Sequence, residues 1–465
     1  MAENAFQYDL ACIGSGPAGQ RAAVQAAKLG KRVVVIERQR VVGGVCLDTG
    51  TIPSKTFREA VLQATRASGT ITTGCFADSA PRVTAEKLVE RIQEVVRCEG
   101  AVIENQLRRN DIALLRGRAA FADPHTIAVE TENRTQTLTA ANILIACGTR
   151  PNPPAGMPPN NVVMTSDEIL RIEKIPNTMA VIGGGVIGVE YASMFARLGV
   201  AVTPREKRER PLQFLEYEII DELVHQMRKS RVTFRLEEAV EGFELIEDPR
   251  PRVRIALESG KRIVADVALF SIGRVGATDT LNIAAAGLSA DERGRVRVNS
   301  QYQTEVPHIY AAGDVIGFPS LAATSSEQGR LAACFAFGAP AQPMAAHFPV
   351  GIYAIPEISM VGATEQELTR QKVPYEVGMA RYREIARGQI LGDDSGMFKM
   401  LFHRETRKLL GIHVIGTGAT ELIHVGQAVM GLGGGLDYFL NTIFNYPTLA
   451  ECYKVAAFDA ANKLR

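Results

Sequence analysis

Residues Tyr8-Asp-Leu-Ala-Cys-Ile-Gly14-Ser-Gly16-Pro-Ala-Gly19 decide the fold. Tyr8 to Gly14 is a short apolar run of strand character, the glycines make a turn, and Gln20 to Leu29 has the composition of a helix. A second strand, Lys31 to Glu37, follows at once, so the stretch reads as a β-turn-α-β unit. In such a unit Gly14 permits the tight turn, Gly16 lets the backbone approach a pyrophosphate, and Gly19 lets helix and strand pack closely. The helix N-terminus behind them favours negative charge. Glu37 ends the second strand, where a carboxylate accepts hydrogen bonds from a ribose diol, with Arg38 next to it.

The unit occurs twice. Thr178 to Gly184 is again a strand-like run, Gly183-Gly-Gly185-Val-Ile-Gly188 a second glycine turn, and a helix through Leu198 leads to a strand near Val200 to Arg205. Glu206 closes it. From Gly14 to Glu37 and from Gly183 to Glu206 the spacing is the same, 23 residues. One glycine fingerprint is weak, but two, each between a strand and a helix and each with an acid at one distance, imply two dinucleotide sites on two doubly wound α/β domains. Pro204 is unexpected inside a central strand and predicts that the strand ends there.

The rest of the composition narrows the class. A chain of 465 residues exceeds one core at about 150 residues per domain. Its net charge of +1 gives no electrostatic case for nucleic acid or a membrane surface. No apolar run reaches membrane-spanning length, and Met1 to Gln7 lacks the features of a signal peptide. Cysteines at 12, 46, 75, 98, 147, 334 and 452 are odd in number and irregularly spaced, which predicts a reducing cytoplasm rather than a disulfide framework. Cys12 and Cys147 sit in apolar runs and read as core. His403, His413 and His424 lack metal-ligand spacing and read as packing or interface groups, so no metal is expected.

Three further segments carry a resemblance. TEVPHIYAAGD (Thr304 to Asp314), Gly43-Gly44-Val-Cys46 through Gly50-Thr-Ile-Pro-Ser-Lys55, and Ala146-Cys-Gly148-Thr-Arg-Pro151 resemble, in order, the second FAD motif, the redox-active segment and the interdomain crossing of the pyridine nucleotide-disulfide oxidoreductases. The resemblance spans essentially the whole chain. It implies two Rossmann-like domains, for FAD and NAD(P), and a C-terminal α+β dimerisation domain. The expected division is 1–150 with 275–347 for FAD, 151–274 for the nicotinamide nucleotide, and 348–465 for a homodimer contact. By the same resemblance Gly14, Gly16, Gly19, Glu37, Arg38, Gly43, Gly44, Cys46, Gly148, Gly313 and Asp314 serve FAD. Gly183, Gly185, Gly188, Glu206 and the crossing residue Gly273 serve NAD or NADP. Lys55 and Glu190 match the family's pair beside the flavin, a cation that steadies the reduced ring and the carboxylate that pairs it.

Two departures decide the expected reaction. Disulfide reductases of the family have two cysteines five positions apart, but here those positions hold Cys46 and Thr51, and a threonine cannot close a disulfide. Where the family has a C-terminal histidine before Pro-Thr, Asn445-Tyr446-Pro447-Thr448 carries tyrosine, whose reference pKa of about 10 suits proton shuttling poorly. This pattern, with GIYAIPEIS (Gly351 to Ser359), KVPYEVG (Lys372 to Gly378), LFHRET (Leu401 to Thr406) and FNYPTLAE (Phe444 to Glu451), resembles the soluble transhydrogenase branch of the family. Hydride exchange between NADPH and NAD through FAD is the expectation. The alternatives are an NAD(P)H oxidase or quinone reductase, and a non-catalytic flavoprotein related to dihydrolipoamide dehydrogenase. Glu206 argues for NAD, whereas Arg205, Lys207 and Arg208 around it offer cations for the 2′-phosphate of NADP, or merely form a solvated basic turn.

Overall fold

The structure is a computed structural model that describes residues 5–67, 84–132, 134–154, 156–157, 161–247 and 250–464. Cys75, Met1 to Asn4 and part of the proline-rich crossing lie outside the described residues. The first sheet sets β1 (Tyr8–Ile13), β2 (Val33–Glu37) and β3 (Ala113–Arg116) parallel with the end of β6 (Thr135–Ile145) and with β16 (Ile309–Ala311). The beginning of β6 instead pairs antiparallel with β5 (Thr126–Glu130), and β5 with β4 (Arg118–Phe121). Every residue of β2, the run VVVIE, is buried, as a parallel strand covered on both faces requires.

β1 shows the two faces. Leu10 and Cys12 pack with the alanines of α1 (Pro17–Lys28) and α7 (Ala322–Ala336), while Ala11 and Ile13 pack with Phe121, Ile127 and Leu281. Burial pushes the Cys12 thiol far up and that of Cys147 to about 12; Cys12 is a core group, as its surroundings in the sequence implied, whereas Cys147 is half-buried and lines the cleft between the first glycine turn and Asp314. The short α2 (Val45–Asp48) leads into α3 (Thr51–Ala67), which packs on α4 (Ala85–Arg109). β7 (Thr149–Pro151) and β15 (Arg274–Gly276) then form an antiparallel crossing between the first sheet and the second.

The second sheet is parallel, in the order β10 (Ala201–Arg205), β9 (Thr178–Ile182), β14 (Val267–Phe270), β8 (Val163–Met164). Met179 and Val181 face the core of α5 (Val186–Arg197) and α6 (Tyr217–Lys229). Ala180 and Ile182 face the antiparallel layer of β11 (Val240–Ile246), β12 (Arg252–Leu257) and β13 (Arg262–Ala265). β10 does not end at Pro204. It runs on to Arg205, because the Pro204 carbonyl points away from β9 and accepts from the Arg235 N–H at 2.8 Å. An N–H at 204 would point the same way, so the ladder to β9 loses no bond to the proline.

The third sheet is antiparallel: β17 (Val350–Ile352), β18 (Ile358–Gly362), β21 (Leu409–Ile415), β20 (Met397–His403), β19 (Tyr375–Arg381). α10 (Ala419–Gly431), α11 (Leu436–Asn441) and α12 (Glu451–Lys463) cover one face around Phe398, Phe439 and Tyr453, and the short α8 (Glu365–Gln371) and α9 (Ala386–Leu391) connect strands. One apolar cluster joins Phe57 and Val61 of α3, Phe195 of α5, and Ile352, Met397 and Ile415 of the third sheet. That shared core fixes α3, α5 and β17 against one another, and Lys55 of α3 meets Glu190 of α5 at their junction. His413 is buried, its Nε2 is 2.9 Å from the Ala363 carbonyl, and burial pushes its pKa down to about 4, the state of a packing group. No described helix is long and apolar enough to cross a membrane.

Candidate functional site

The two glycine turns are built alike. Gly14 and Gly183 have φ of +107° and +109°, and a Cβ on either would lie 2.4 Å from Ala146 O or 2.5 Å from Ser271 O. A Cβ on Gly19 or Gly188 would fall 1.9 or 2.0 Å from the carbonyl oxygen of the turn's first glycine, which is how helix and strand come so close. A Cβ on Gly16 or Gly185 would meet nothing within 4 Å. These middle positions open outward, at the N-caps of α1 and α5, and neither helix has a side-chain cap. Free N–H groups and an open approach are what a pyrophosphate needs.

The acids are held alike as well. Glu37 accepts from the Ser15 N–H at 3.0 Å, the Ser15 hydroxyl at 2.5 Å and the Gln39 N–H at 2.7 Å. Glu206 accepts from the Gly184 N–H at 2.6 Å and the Arg208 N–H at 3.0 Å, and its Oε1 also lies 3.0 Å from the Arg208 Nε. Against burial, which raises it, the hydrogen bonds from Arg208 and Gly184 hold the Glu206 carboxyl below the usual range. The basic turn is thus not uniformly solvated: Arg205 is 8% exposed, while Lys207 is exposed and Arg208 is clamped on Glu206.

One cleft runs from Gly14–Ala18 and Glu37–Gln39, Arg38 included, past Gly44, Cys46, Thr51 and Gly148 to Asp314. The loop before Cys46 packs on the first turn: the Gly43 N–H donates to Ser15 Oγ at 2.9 Å, and a Cβ on Gly44 would lie 2.8 Å from the Gly16 Cα. Gly313 donates its N–H to the buried Gln328 at 2.9 Å and sets Asp314 at the cleft, where burial pushes its carboxyl up against the pull of Arg274 and of hydrogen bonds from Thr149 and Ser325. Gly148 accepts from the Ala277 N–H at 3.0 Å and Gly273 from the Asn152 N–H at 3.1 Å. Gly273 therefore extends the crossing ladder of β7 and β15. The cleft, with an acid at one end, two backbone turns along it and Asp314 at the other, fits an FAD.

Lys55 on α3 and Glu190 on α5 meet: the ammonium lies 2.7 and 2.9 Å from the two carboxylate oxygens. Cys46 is a free thiol; burial pushes it above its ordinary value, opposed by a hydrogen bond with the Thr51 side chain. It therefore lacks the lowered pKa of a redox thiol.

Several residues escaped the sequence reading. Ser15, inside the first fingerprint, ties Glu37 to the Gly43 loop. Arg274 bonds Thr149 at 2.9 Å and Ser166 at 3.2 Å, bracing the crossing. Tyr353 donates its N–H to Glu190 at 2.8 Å and lays its ring 5.0 Å from the Lys55 ammonium. It is 163 residues from Glu190, so no local signal could have paired them. Among the described residues, one group of carboxylates stands close enough to hold a metal ion, Glu216, Glu218 and Glu365, and the Lys399 ammonium bonds all three.

Two glycine turns of the same build, a cleft that fits FAD and the Lys55–Glu190 ion pair define an oxidoreductase that works with FAD and NAD(P). The chain belongs to the pyridine nucleotide-disulphide oxidoreductase family, whose model matches residues 8–329, and the model of that family's dimerisation domain matches residues 348–457. It is 51% identical over 462 residues to a soluble pyridine nucleotide transhydrogenase of Mycobacterium tuberculosis, covering 99% of this chain and 98% of that one. A protein of the same description from Pectobacterium atrosepticum is 45% identical over 475 residues, with 99% of each chain covered. Among solved structures, the HOCl-induced flavoprotein disulfide reductase RclA from Escherichia coli matches with a TM-score of 0.87 and 26% identity over 97% of this chain and 99% of that one. LpdA from Mycobacterium tuberculosis shares the fold at a TM-score of 0.88 and 23% identity, over 97% and 98% of the two chains.

Proposed function

We propose that the protein is a soluble NAD(P) transhydrogenase that exchanges reducing equivalents between NADPH and NAD through FAD, reversibly and without an internal disulfide. The observation that carries this reading is Cys46 facing Thr51 instead of a second cysteine, beside two intact nucleotide turns. The relatives of 45–51% identity are described as transhydrogenases, which supports it.

FAD, when bound, would take two electrons as hydride from one nicotinamide and return them to another. The chain's own part is to bind and orient. Gly14, Gly16 and Gly19, with Glu37 and Asp314, would hold FAD in the cleft, and Gly183, Gly185, Gly188 and Glu206 would hold each nicotinamide nucleotide in turn. Lys55, fixed by Glu190 and Tyr353, would supply the positive field beside the flavin. Two nucleotides using one site in sequence gives a ping-pong cycle.

The division into 1–150 with 275–347, 151–274, and 348–465 is part of the same reading, supported by the separate sheets and the crossing at β7 and β15. A homodimer through the last region is supported by its exposed Leu432, Ile443 and Tyr446, at 88%, 94% and 68%. The described cysteines are all free, which suits the cytoplasm.

The test is anaerobic mixing of the purified flavoprotein with NADPH and thio-NAD, following thio-NADH absorbance. Rapid thio-NADH formation with ping-pong kinetics is expected. Flavin that bleaches while thio-NAD stays oxidised would replace this reading with an oxidase or quinone reductase. Flavin that never bleaches would leave a non-catalytic flavoprotein.

A further inference from the structure

We propose that Arg208 is the residue that lets one nucleotide pocket accept both a bare adenosine ribose and a 2′-phosphorylated one. The proposal rests on the transhydrogenase reading, since only a site used by both NAD and NADP needs such a device. It comes from comparing the two acids within this one chain. Gln39 and Arg208 occupy the same place, two residues after the acid, and each donates its backbone N–H to that acid, at 2.7 and 3.0 Å. The backbone frames match; the side chains do not.

Glu37 receives three hydrogen bonds, none from a cation, and so keeps acceptor capacity for a diol. Glu206 receives four: the Gly184 N–H at 2.6 Å, the Arg208 N–H at 3.0 Å, and the guanidinium through Nε at 3.0 Å and Nη2 at 3.1 Å. A carboxylate has room for about four such donors, so Glu206 has less acceptor capacity left than Glu37 and meets the ribose together with Arg208. Bare, it would repel a 2′-phosphate. With the guanidinium laid across it, the pair is neutral as a whole.

The arginine is also in a position to do more. Its side chain is 48% exposed against 8% for that of Glu206, so the clamp covers the acid and itself faces solvent. Nη1 has no partner among the described residues and retains its donors for incoming phosphate oxygens. Arg205, 8% exposed, does not face solvent as Arg208 does. A 2′-phosphate would thus meet a cation, whereas an unphosphorylated ribose would meet a neutral pair that asks nothing of it.

Binding of non-reducing fragments separates this from catalysis. ADP-ribose and 2′-phospho-ADP-ribose are titrated calorimetrically into the flavin-loaded wild type, R208Q, R208K and K207Q. R208Q is expected to lose about tenfold or more in affinity for the phosphorylated fragment and to keep its affinity for ADP-ribose within about threefold. R208K, which keeps the charge but loses the fork, should fall between R208Q and wild type, and K207Q should resemble wild type. Equal losses for both fragments in R208Q would make Arg208 a structural clamp and overturn the proposal. So would an unchanged affinity for the phosphorylated fragment, or a K207Q loss as large as that of R208Q. Absence of NADPH-to-thio-NAD exchange in the wild type would instead remove the transhydrogenase reading and leave these isotherms standing on their own.

Discussion

Lys55 Nζ lies 2.7 Å from Oε2 and 2.9 Å from Oε1 of Glu190, a residue 135 positions further along the chain. The carboxylate side chain is 4% exposed and the lysine 24%, so the pair is mostly withdrawn from water. The Tyr353 N–H bonds Glu190 at 2.8 Å, and the next two residues are held too: the Ala354 carbonyl by Arg58 Nε at 3.0 Å and the Ile355 N–H by Ser193 at 3.0 Å. Three elements distant in sequence therefore fix one cation. Replacing Lys55 with methionine leaves a buried carboxylate with little beyond one backbone donor. A loss of about 1.5–3 kcal/mol in stability is expected, together with a fall of about 100-fold in the rate at which NADPH bleaches the flavin. Stopped-flow absorbance and thermal melting of K55M read the two effects separately. Bleaching at the wild-type rate in folded K55M would remove Lys55 from the reaction.

Each fingerprint contains glycines required for opposite reasons, and alanine separates them. A Cβ at Gly188 would lie 2.0 Å from Gly183 O, so G188A must push α5 away from β9 and should not give a stable second sheet. At Gly185 φ is −77° and a Cβ meets no protein atom within 4 Å, so G185A should melt with the wild type yet bind NADPH about tenfold or more weakly, its methyl standing where the phosphates approach. G16A should behave the same way toward FAD, copurifying with less flavin. Calorimetry with NADPH and the flavin-to-protein absorbance ratio check both.

The contrast between those glycines also explains what the sequence made legible. Turn chemistry is local, so both β-turn-α-β units, the acids at Glu37 and Glu206 and the approach of the TEVPHIYAAGD segment could be placed from spacing and resemblance. Pro204 misled because strand identity alone does not tell which way the missing N–H would have pointed. Tyr353 and Arg274 were invisible for another reason: their roles exist only when distant segments meet, and neither residue type announces a site. Arg208 was visible as a charge but not as a clamp, since spacing does not tell that its guanidinium lies across Glu206.

Cys46 should be a slow nucleophile. Burial raises its thiol above the ordinary value of 9.0, with the Thr51 hydrogen bond opposing, so the thiolate fraction at pH 7 is smaller than that of an unperturbed cysteine. Alkylation by iodoacetamide, followed by peptide mass spectrometry, should label the exposed Cys98 first and Cys46 much later. The Cys46 rate should still be climbing above pH 9. Rapid labelling of Cys46 at pH 7 would mean a lowered pKa and would reopen a thiol-based reaction.

Lys399 offers the sharpest test of how the third sheet is tied to the second. Its side chain is 0% exposed, and its ammonium lies 3.1 Å from Glu216 and 2.5 Å from Glu218, both from the start of α6, and bonds Glu365 at the start of α8. Burial pulls its pKa down, but the three carboxylates more than offset this and hold it above the ordinary value. A folded pKa raised in this way stabilises fully below the unfolded value of 10.5 and is lost only as pH rises through the folded one, so the lysine's contribution should be constant from neutral pH up to about 9. Removing the cation is another matter. K399M leaves Glu216, 2% exposed, buried and facing two like charges, which should cost about 3–5 kcal/mol. Adding E216Q to K399M should recover part of that loss, because it removes the buried charge that the lysine no longer neutralises. Thermal unfolding of wild type, K399M and the double variant at pH 7 decides it, and a K399M melting point equal to the wild type's would show that the ammonium carries no net stabilisation there.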